Sequence, residues 1–189
     1  GFYMLGNKAF HCWKHRGHGS VDVVGAIRES CDVFFYETGK RVGIDGIAKM
    51  ARRMGMGERL DFDIPSEGSG LIPDRAWKQK RYKQRWELGE TVVAAIGQSY
   101  VLATPLQLAT MAARIANGGK AIKPILVRSV EDEGNKIPEW PMLGFKKPHL
   151  ELIHKGMAQV VNDPRGTGHG AAIRELPCSM AGKTGSAQV

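Results

Sequence analysis

Apolar residues recur at helical spacing in the first third of the chain, and this pattern predicts three short helices. Ser20 is a candidate N-cap for the first helix, and Asp32 is a candidate cap for the second, which is expected to end at Gly43. Asp45 is the candidate cap of the third helix. The apolar positions from which the three helices are predicted are Val21, Val24 and Ile27, then Val33, Phe34, Tyr36 and Val42, then Ile47, Met50, Ala51 and Met54.

The clearest helix signal lies in the second half of the chain. Thr104, Pro105 and Gln107 combine an N-cap, a proline at the first helical position and a glutamine three residues after the cap. A helix is therefore predicted from this point to Asn117. Residues 121–130 are typical of a strand that turns at 132–135, and residues 148–162 of a further helix. A flexible loop at 164–170 is expected to lead to a final strand.

Two stretches lack a regular pattern. Residues 1–19, rich in glycine, histidine and aromatic residues, predict an irregular loop, and residues 55–98, punctuated by glycine and proline, predict long loops with short hairpins at most. Loops of that length usually serve a function or border a substrate groove. We divide the single predicted domain, 1–189, into a helical region (1–54), a long loop region (55–98) and helices leading to the last strand (99–189).

The composition is that of a globular protein. Hydrophobic residues make up 42% and charged residues 24% of the 189 positions, which is enough for one domain with a core. The sequence has no run of about 18 apolar residues and predicts no membrane-spanning helix. Since the chain has neither an initiator methionine nor a signal peptide, we expect a segment of a larger protein.

The formal net charge of +8 comes partly from one basic cluster with aromatic neighbours. The cluster predicts a solvated basic loop or hairpin. Nucleic-acid binding is the weaker alternative because no nucleic-acid motif accompanies it, and an anionic lipid or cell-wall polymer is the better candidate partner. Its members are Lys78, Lys80, Arg81, Lys83 and Arg85, with Trp77, Tyr82 and Trp86.

Three cysteines make an odd number, so at least one is free or bound to a metal. Cys12, His18 and Cys31 offer two thiolates and an imidazole, a donor set suited to tetrahedral zinc that still needs a fourth ligand. The alternative is two buried cysteines beside a surface histidine, because the spacing matches no zinc finger.

Two short motifs have the residue types for acyl-transfer chemistry. Ser30 and Asp32 stand between two predicted helices, where a hydroxyl can relay a proton and a carboxylate can hold a lysine or a substrate amide. Lys183, Thr184 and Gly185 supply an ammonium, a hydroxyl and an open backbone position suited to a carboxylate. Each also has a plainer interpretation, as helix caps in the first case and as a chance turn in the second.

These motifs occur in one order with several others, and together they resemble class B penicillin-binding proteins, most closely the elongation-specific branch. The quoted stretches are residues 29–36, 77–80, 95–100, 103–108 and 181–188, and residues 10–19 also fit that branch. The resemblance implies an α+β transpeptidase fold, an antiparallel sheet flanked by helices, of which this chain is an incomplete and mainly helical segment. It also raises the weight of a structural zinc at the cysteine and histidine positions.

The resemblance further implies a D,D-transpeptidase that cross-links peptidoglycan stem peptides, is inhibited by β-lactams and needs no cofactor for acyl transfer. Ser30 and Asp32 would belong to the proton-relay network. Lys183 and Thr184 would bind the terminal carboxylate, with Gly185 beside them, and the Ser186 amide would donate to the oxyanion. A membrane glycosyltransferase of the shape, elongation, division and sporulation family would be a partner, and nucleic acid would not. The implied location is the bacterial inner membrane, with the catalytic domain in the periplasm.

One departure from the family pattern matters. The family places its nucleophile in a Ser-x-x-Lys motif, and no serine of this chain has lysine three residues later. We therefore expect the nucleophile outside this chain and the 189 residues alone to be inactive. The alternatives are a division-type transpeptidase, a D,D-carboxypeptidase and a non-catalytic β-lactam sensor or scaffold of the same fold.

Overall fold

The computed structural model describes residues 1–62, 64–126, 138–173, 175 and 177–187. The chain forms two units. The first comprises residues 1–44, 86–99 and 146–189, and the second comprises residues 45–85 and 100–145. The expected division into three consecutive regions remains a prediction.

The first unit holds strands β1 (Phe2–Leu5) and β2 (Lys8–His11), helices α1 (Val23–Arg28), α2 (Asp32–Val42), α5 (Leu88–Ala94) and α7 (Lys147–Asn162), and a 3-10 turn at His169–Ala171. The second holds nearly all of α3 (Ile44–Arg53), with α4 (Arg75–Tyr82) and α6 (Pro105–Ala116). Within the described ranges, no helix is both long enough and apolar enough to cross a membrane.

The opening residues form an antiparallel hairpin rather than the irregular loop expected for 1–19. Phe2 pairs with His11 and Leu5 with Lys8 across a two-residue turn, in which Gly6 has φ 57°. Glycine reaches this left-handed conformation without strain, and Gly-Asn is a typical hairpin turn. The turn signal was therefore present in the sequence. Residues 12–19 carry no regular element.

The first unit is built around two small apolar clusters. In one, Phe10, Tyr36 and Val92 pack β2, α2 and α5 together. In the other, Ile27 of α1 packs against Val160 and Val161 of α7. Helix α7, predicted at 148–162 and observed one residue longer, thus positions α1 and the loop that follows α1.

Three of the expected helix caps are wrong. Asp45 does not cap α3, because the helix begins at Ile44 and Asp45 lies in its first turn. Asp22, not Ser20, caps α1, because its carboxylate accepts from the amide of Gly25 at 2.7 Å. Cys31 is the N-cap of α2, and Asp32 is the first helical residue. The Asp32 carboxylate instead accepts from the amide of Trp13 at 3.0 Å.

The expected long loops of 55–98 contain α4 and α5, so that prediction is wrong over both helices. Helix α4 carries most of the basic cluster, which is thus helical rather than a loop or hairpin. Its start is fixed by Asp74, whose carboxylate accepts from the amide of Trp77 and pairs with Arg52 at 2.8 Å. Helix α5 begins with a capping box formed by Glu87 and Glu90. Both helices are short, at eight and seven residues, and α4 is largely polar, so neither offers a long apolar stripe.

Helix α6 has the predicted start, and its capping box is present in both directions. Thr104 accepts from the amide of Gln107 at 3.2 Å, and the Gln107 side chain accepts from the amide of Thr104 at 3.1 Å. Gln107 is fully buried and also donates to the carbonyls of Glu58 and Ser69, both at 2.8 Å. A capping residue therefore also holds the irregular chain of the second unit.

Neither of the two strands predicted in the second half of the chain is observed among the described residues. Residues 121–126 carry no strand, although Lys120 forms an isolated bridge with Met142. The remainder of that strand and its turn at 132–135 lie outside the described residues. Residues 180–187 carry no regular element and pair with no strand among the described residues.

The close packing of α2 on α5 gives a test of the fold. A Cβ built on Gly39 would lie 2.4 Å from the Cβ of Ala95, so we expect Gly39→Ala to lower the free energy of unfolding by about 1–3 kcal/mol through overpacking. Gly89→Ala is the matched control, because its Cβ would meet only Phe10 at 3.7 Å and the substitution favours the helix. Thermal or urea unfolding checks both. Equal stability of the two variants would contradict the packing argument.

Candidate active site

Ser30 lies in a strained loop between α1 and α2. Its φ of 50° is in the left-handed region, which a non-glycine residue adopts at a cost of about 1–2 kcal/mol. The indole of Trp13 holds this loop, donating from Nε1 to the carbonyls of Glu29 and Ser30, each at 3.0 Å. Since strain of this kind concentrates at functional sites, the conformation supports a role for the Ser30 side chain.

The segment with Lys183 is fixed to the first unit at three points. Gly182 donates its amide to the carbonyl of Met157 at 3.1 Å, and the Asn162 side chain donates to the carbonyl of Met180 at 2.8 Å. Gln98 donates from Nε2 to the carbonyl of Ser186 at 3.0 Å. Helix α7 and the chain after α5 thereby align residues 180–186 although these residues form no strand.

The two motifs meet in a cluster of three hydroxyl groups and one ammonium group, which we term the hydroxyl cluster: Ser30, Thr167, Lys183 and Thr184. Thr167 Oγ1 lies 2.7 Å from Thr184 Oγ1 and 3.1 Å from Ser30 Oγ, and the Ser30 and Thr184 oxygens are 3.3 Å apart. Lys183 Nζ donates to Ser30 Oγ and to the carbonyl of Thr184. Residues 153 positions apart in sequence are thus in direct contact.

The electrostatic environment of Lys183 is mixed. Desolvation lowers the pKa of its ammonium, and the negative charge of Asp32 opposes that shift. Because the residue as a whole remains exposed, solvent screening limits the shift. Asp32 thus acts on the lysine through its charge, while its Oδ2 is bonded to the Trp13 amide.

A buried charge network lies directly behind the hydroxyl cluster. Arg28 Nη2 bonds to Glu29 at 2.7 Å, and Arg28 Nη1 bonds to Asp163 at 3.1 Å and to Gln159 at 3.3 Å. Burial disfavours the Glu29 carboxylate, but Arg28 and the neighbouring cations outweigh this effect and leave its pKa lowered. The amide of Arg165 is the main cause of the lowered pKa of Asp163. The network ties the end of α1 to the loop after α7.

The predicted metal-ligating residues also lie together. The ligand atoms of Cys12, His18 and Cys31 are all within 4.8 Å of one another, and Cys12 Sγ is 3.6 Å from His18 Nδ1. Both cysteines are buried, and burial raises the pKa of the Cys31 thiol and lowers that of His18. Two thiols and an imidazole are donor types that suit zinc. Cys178 is exposed.

Sequence reasoning missed three residues of the site. Trp13 and Gln98 lie in stretches that carry the family resemblance, but the sequence assigns them no role. Thr167 lies in the predicted flexible loop at 164–170. The only signal for Thr167 was its position between glycines in residues 164–170. Those glycines fit no phosphate-binding motif, because no strand precedes them and no long helix follows. The contacts that bring Trp13, Gln98 and Thr167 to the site join residues far apart in the sequence, so no local sequence pattern predicts them.

The whole chain, residues 1–189, matches the family described as the penicillin binding protein transpeptidase domain, and the protein belongs to this family. The predicted fold class, a mainly helical segment of that α+β fold, is confirmed. Within the family, the chain is similar to the peptidoglycan D,D-transpeptidase MrdA of Haemophilus influenzae, with 38% identity over 196 residues, 100% of this chain and 30% of the relative.

Two solved structures give the same result. A complex between penicillin-binding protein 2 and MreC from Helicobacter pylori aligns with 38% identity and a TM-score of 0.88, covering 100% of this chain and 34% of that chain. Pseudomonas aeruginosa penicillin-binding protein 2 in complex with WCK 5153 aligns with 36% identity and a TM-score of 0.89, covering 100% of this chain and 42% of that chain. The predicted resemblance to the elongation-specific branch is confirmed. The chain spans about 30% of the length of the curated relatives it matches.

The charge network makes the stability depend on pH in a defined direction. Because the pKa of Glu29 is lowered in the folded state, its stabilising contribution is present above its ordinary pKa of about 4.3 and is lost as pH falls through the lowered value. Arg28→Met removes the main partner of this carboxylate. We expect the melting temperature of the variant to lie below that of the wild-type protein at pH 7 and the gap to narrow toward pH 3. A gap independent of pH would contradict the ion-pair explanation.

Proposed function

We propose that this chain is part of a bacterial peptidoglycan D,D-transpeptidase that cross-links stem peptides during cell elongation and is inhibited by β-lactams. The observation that carries the proposal is the hydrogen bond from the Lys183 ammonium to the Ser30 hydroxyl, with the Thr184 hydroxyl beside both. A cation and hydroxyl groups at one exposed position suit an anionic peptide terminus and a proton relay. The relationship to the MrdA transpeptidases supports the same activity.

Each residue of the final segment has a role in this proposal. Lys183 and Thr184 bind the terminal carboxylate of the stem peptide, through a charge-assisted bond and a hydroxyl donor. Gly185 has no side chain, so an extended peptide can approach its backbone closely. The Ser186 amide donates to the oxyanion of the tetrahedral intermediate, a contact that typically contributes about 3 kcal/mol.

The nucleophile belongs to another part of a longer polypeptide. The lack of a Ser-x-x-Lys motif and the greater length of the relatives support this assignment. The nucleophilic serine attacks the penultimate D-Ala carbonyl, and the terminal D-Ala leaves as an amine that takes up a proton. The amine of a neighbouring stem then attacks the acyl-serine and loses a proton as the serine regains one. Ser30, bonded to Lys183, transfers these protons. The negative charge of Asp32 favours the charged form of the lysine and opposes the effect of desolvation on its pKa.

Acyl transfer of this type needs no cofactor. The partners are peptidoglycan stem peptides, β-lactams and a membrane glycosyltransferase of the shape, elongation, division and sporulation family. Because the H. pylori relative forms a complex with MreC, a protein similar to MreC is a further proposed partner. The proposed location is the inner membrane, with this domain in the periplasm, and nucleic acid is not a partner.

Covalent labelling tests the proposal. The full-length protein should form a stoichiometric adduct with fluorescent penicillin, and Ser30→Ala should slow adduct formation about 100-fold, the lower range for loss of a general acid-base group. Ser20→Ala, at an exposed position outside the cluster, is the control and should react like the wild-type protein. Absence of an adduct on the full-length protein would contradict the function. An adduct on the 189 residues alone would contradict the placement of the nucleophile.

We also propose a structural zinc held by Cys12, His18 and Cys31. The proposal is supported by the donor chemistry and by the mutual distances below 4.8 Å, which fit one ion after small adjustments. A fourth ligand would come from a residue before Gly1. Zinc at this position would tie residues 12–18 to the start of α2 and thereby steady the neighbouring Ser30, without taking part in the reaction.

Elemental analysis tests the metal. Protein purified without chelators should contain zinc near one equivalent, and Cys12→Ser should lose most of it. Cys178→Ser is the matched control, because Cys178 is exposed and lies outside the cluster, so it should retain the zinc. Wild-type protein with no zinc at near-stoichiometric level would end the proposal.

A further inference from the structure

Thr167 is the one member of the hydroxyl cluster that belongs to neither recognised motif. The distance from Thr167 Oγ1 to Thr184 Oγ1 is 2.7 Å, the shortest between two hydroxyl oxygens of the cluster, and Thr167 Oγ1 is 3.1 Å from Ser30 Oγ. It therefore stands between the residue assigned to proton relay and the residue assigned to carboxylate binding.

The backbone around Thr167 is held at several points. Its amide donates to the carbonyl of Arg28 at 3.2 Å, and the amide of Gly168 donates to the carbonyl of Val160 at 2.9 Å. A Cβ built on Gly166 would lie 2.2 Å from the same Val160 carbonyl, so only glycine permits this close approach to the last turn of α7. These contacts fix the direction of the Thr167 side chain.

Each hydroxyl group has only one proton to donate, and this limit sets the direction of the hydrogen bonds in the cluster. Lys183 already donates to Ser30 Oγ, so the Ser30 proton points away from the ammonium, toward one of the two threonines. Thr167 is the nearer acceptor, at 3.1 Å against 3.3 Å for Thr184. Thr167 Oγ1 has two possible acceptors, Thr184 Oγ1 at 2.7 Å and the carbonyl of Arg28 at 3.5 Å. The shorter contact is the stronger hydrogen bond. We therefore assign the Thr167 proton to Thr184, which leaves the Thr184 proton free to point to a substrate carboxylate.

We propose that Thr167 is a positioning residue that connects Ser30 to Thr184, so that one directed chain of hydroxyls runs from Lys183 to the substrate carboxylate. The inference rests on the proposed function, because the carboxylate belongs to the stem peptide or the β-lactam. Thr167 acts through its two hydroxyl neighbours and does not itself contact the reacting atoms.

The test compares two substitutions in the full-length protein. Thr167→Val keeps the shape of the side chain and removes the hydroxyl, and it should lower the second-order rate constant of acylation by fluorescent penicillin about tenfold. Thr167→Ser keeps the hydroxyl and should restore the rate to within about threefold of wild type. Thr38→Val is the control. It removes an exposed hydroxyl that bonds to the carbonyl of Phe34 in α2, and it should leave the rate unchanged.

The outcomes separate this inference from the proposed function. A Thr167→Val protein that acylates within twofold of wild type would overturn the role of Thr167 and leave the proposed function intact. Equal losses in Thr167→Val and Thr167→Ser would assign the effect to shape and would also overturn it. A wild-type protein that is not acylated would overturn the proposed function together with this inference.

Discussion

The guanidinium of Arg28 joins two of the three parts of the chain from which the hydroxyl cluster is built, the end of α1 and the loop after α7. Arg28 ends α1, two residues before Ser30, and bonds to Glu29 and to Asp163 at the end of α7. A buried ion pair contributes little net stability, because desolvation of the charges offsets most of their attraction. Its importance here is geometric. The ion pairs hold the end of α1 at a fixed distance from the loop after α7. At that distance the carbonyl of Arg28 can accept from the Thr167 amide, at 3.2 Å.

The apolar contacts beneath this network supply the stability that the charges do not. Ile27 packs on Val160 and Val161, and a buried aliphatic side chain typically contributes about 1.5–3 kcal/mol. This packing offsets the cost of the left-handed backbone at Ser30, which Trp13 further holds through its indole. The strained residue is thus supported from both sides, and its hydroxyl has a fixed direction toward Lys183.

The sequence predicted the elements whose determinants are local. Helix α6 followed from the capping box of Thr104 and Gln107, and α7 from apolar residues repeated over 16 residues. Helix α4 was missed because it is only eight residues long and half of its residues are cationic. Its start depends on Asp74, and Asp74 is in turn held by Arg52, which is 22 residues away in sequence. The hairpin at Gly6 also has a local turn signal, Gly-Asn, but its strands are only four residues long and lie in a stretch without regular hydrophobic alternation.

The residues of the candidate site likewise fall into those that local sequence motifs identify and those that only long-range contacts identify. Ser30, Asp32, Lys183 and Thr184 could be selected from the sequence because each stands in a short motif whose residue types suggest chemistry. Thr167 could not, because its place depends on contacts with residues 137 and 17 positions away. A hydroxyl group has only one proton, so its role is set by the neighbours that receive and supply protons rather than by its own sequence context. A polar network of this kind can therefore be identified only from the folded structure, even where no single residue in it has an unusual sequence context.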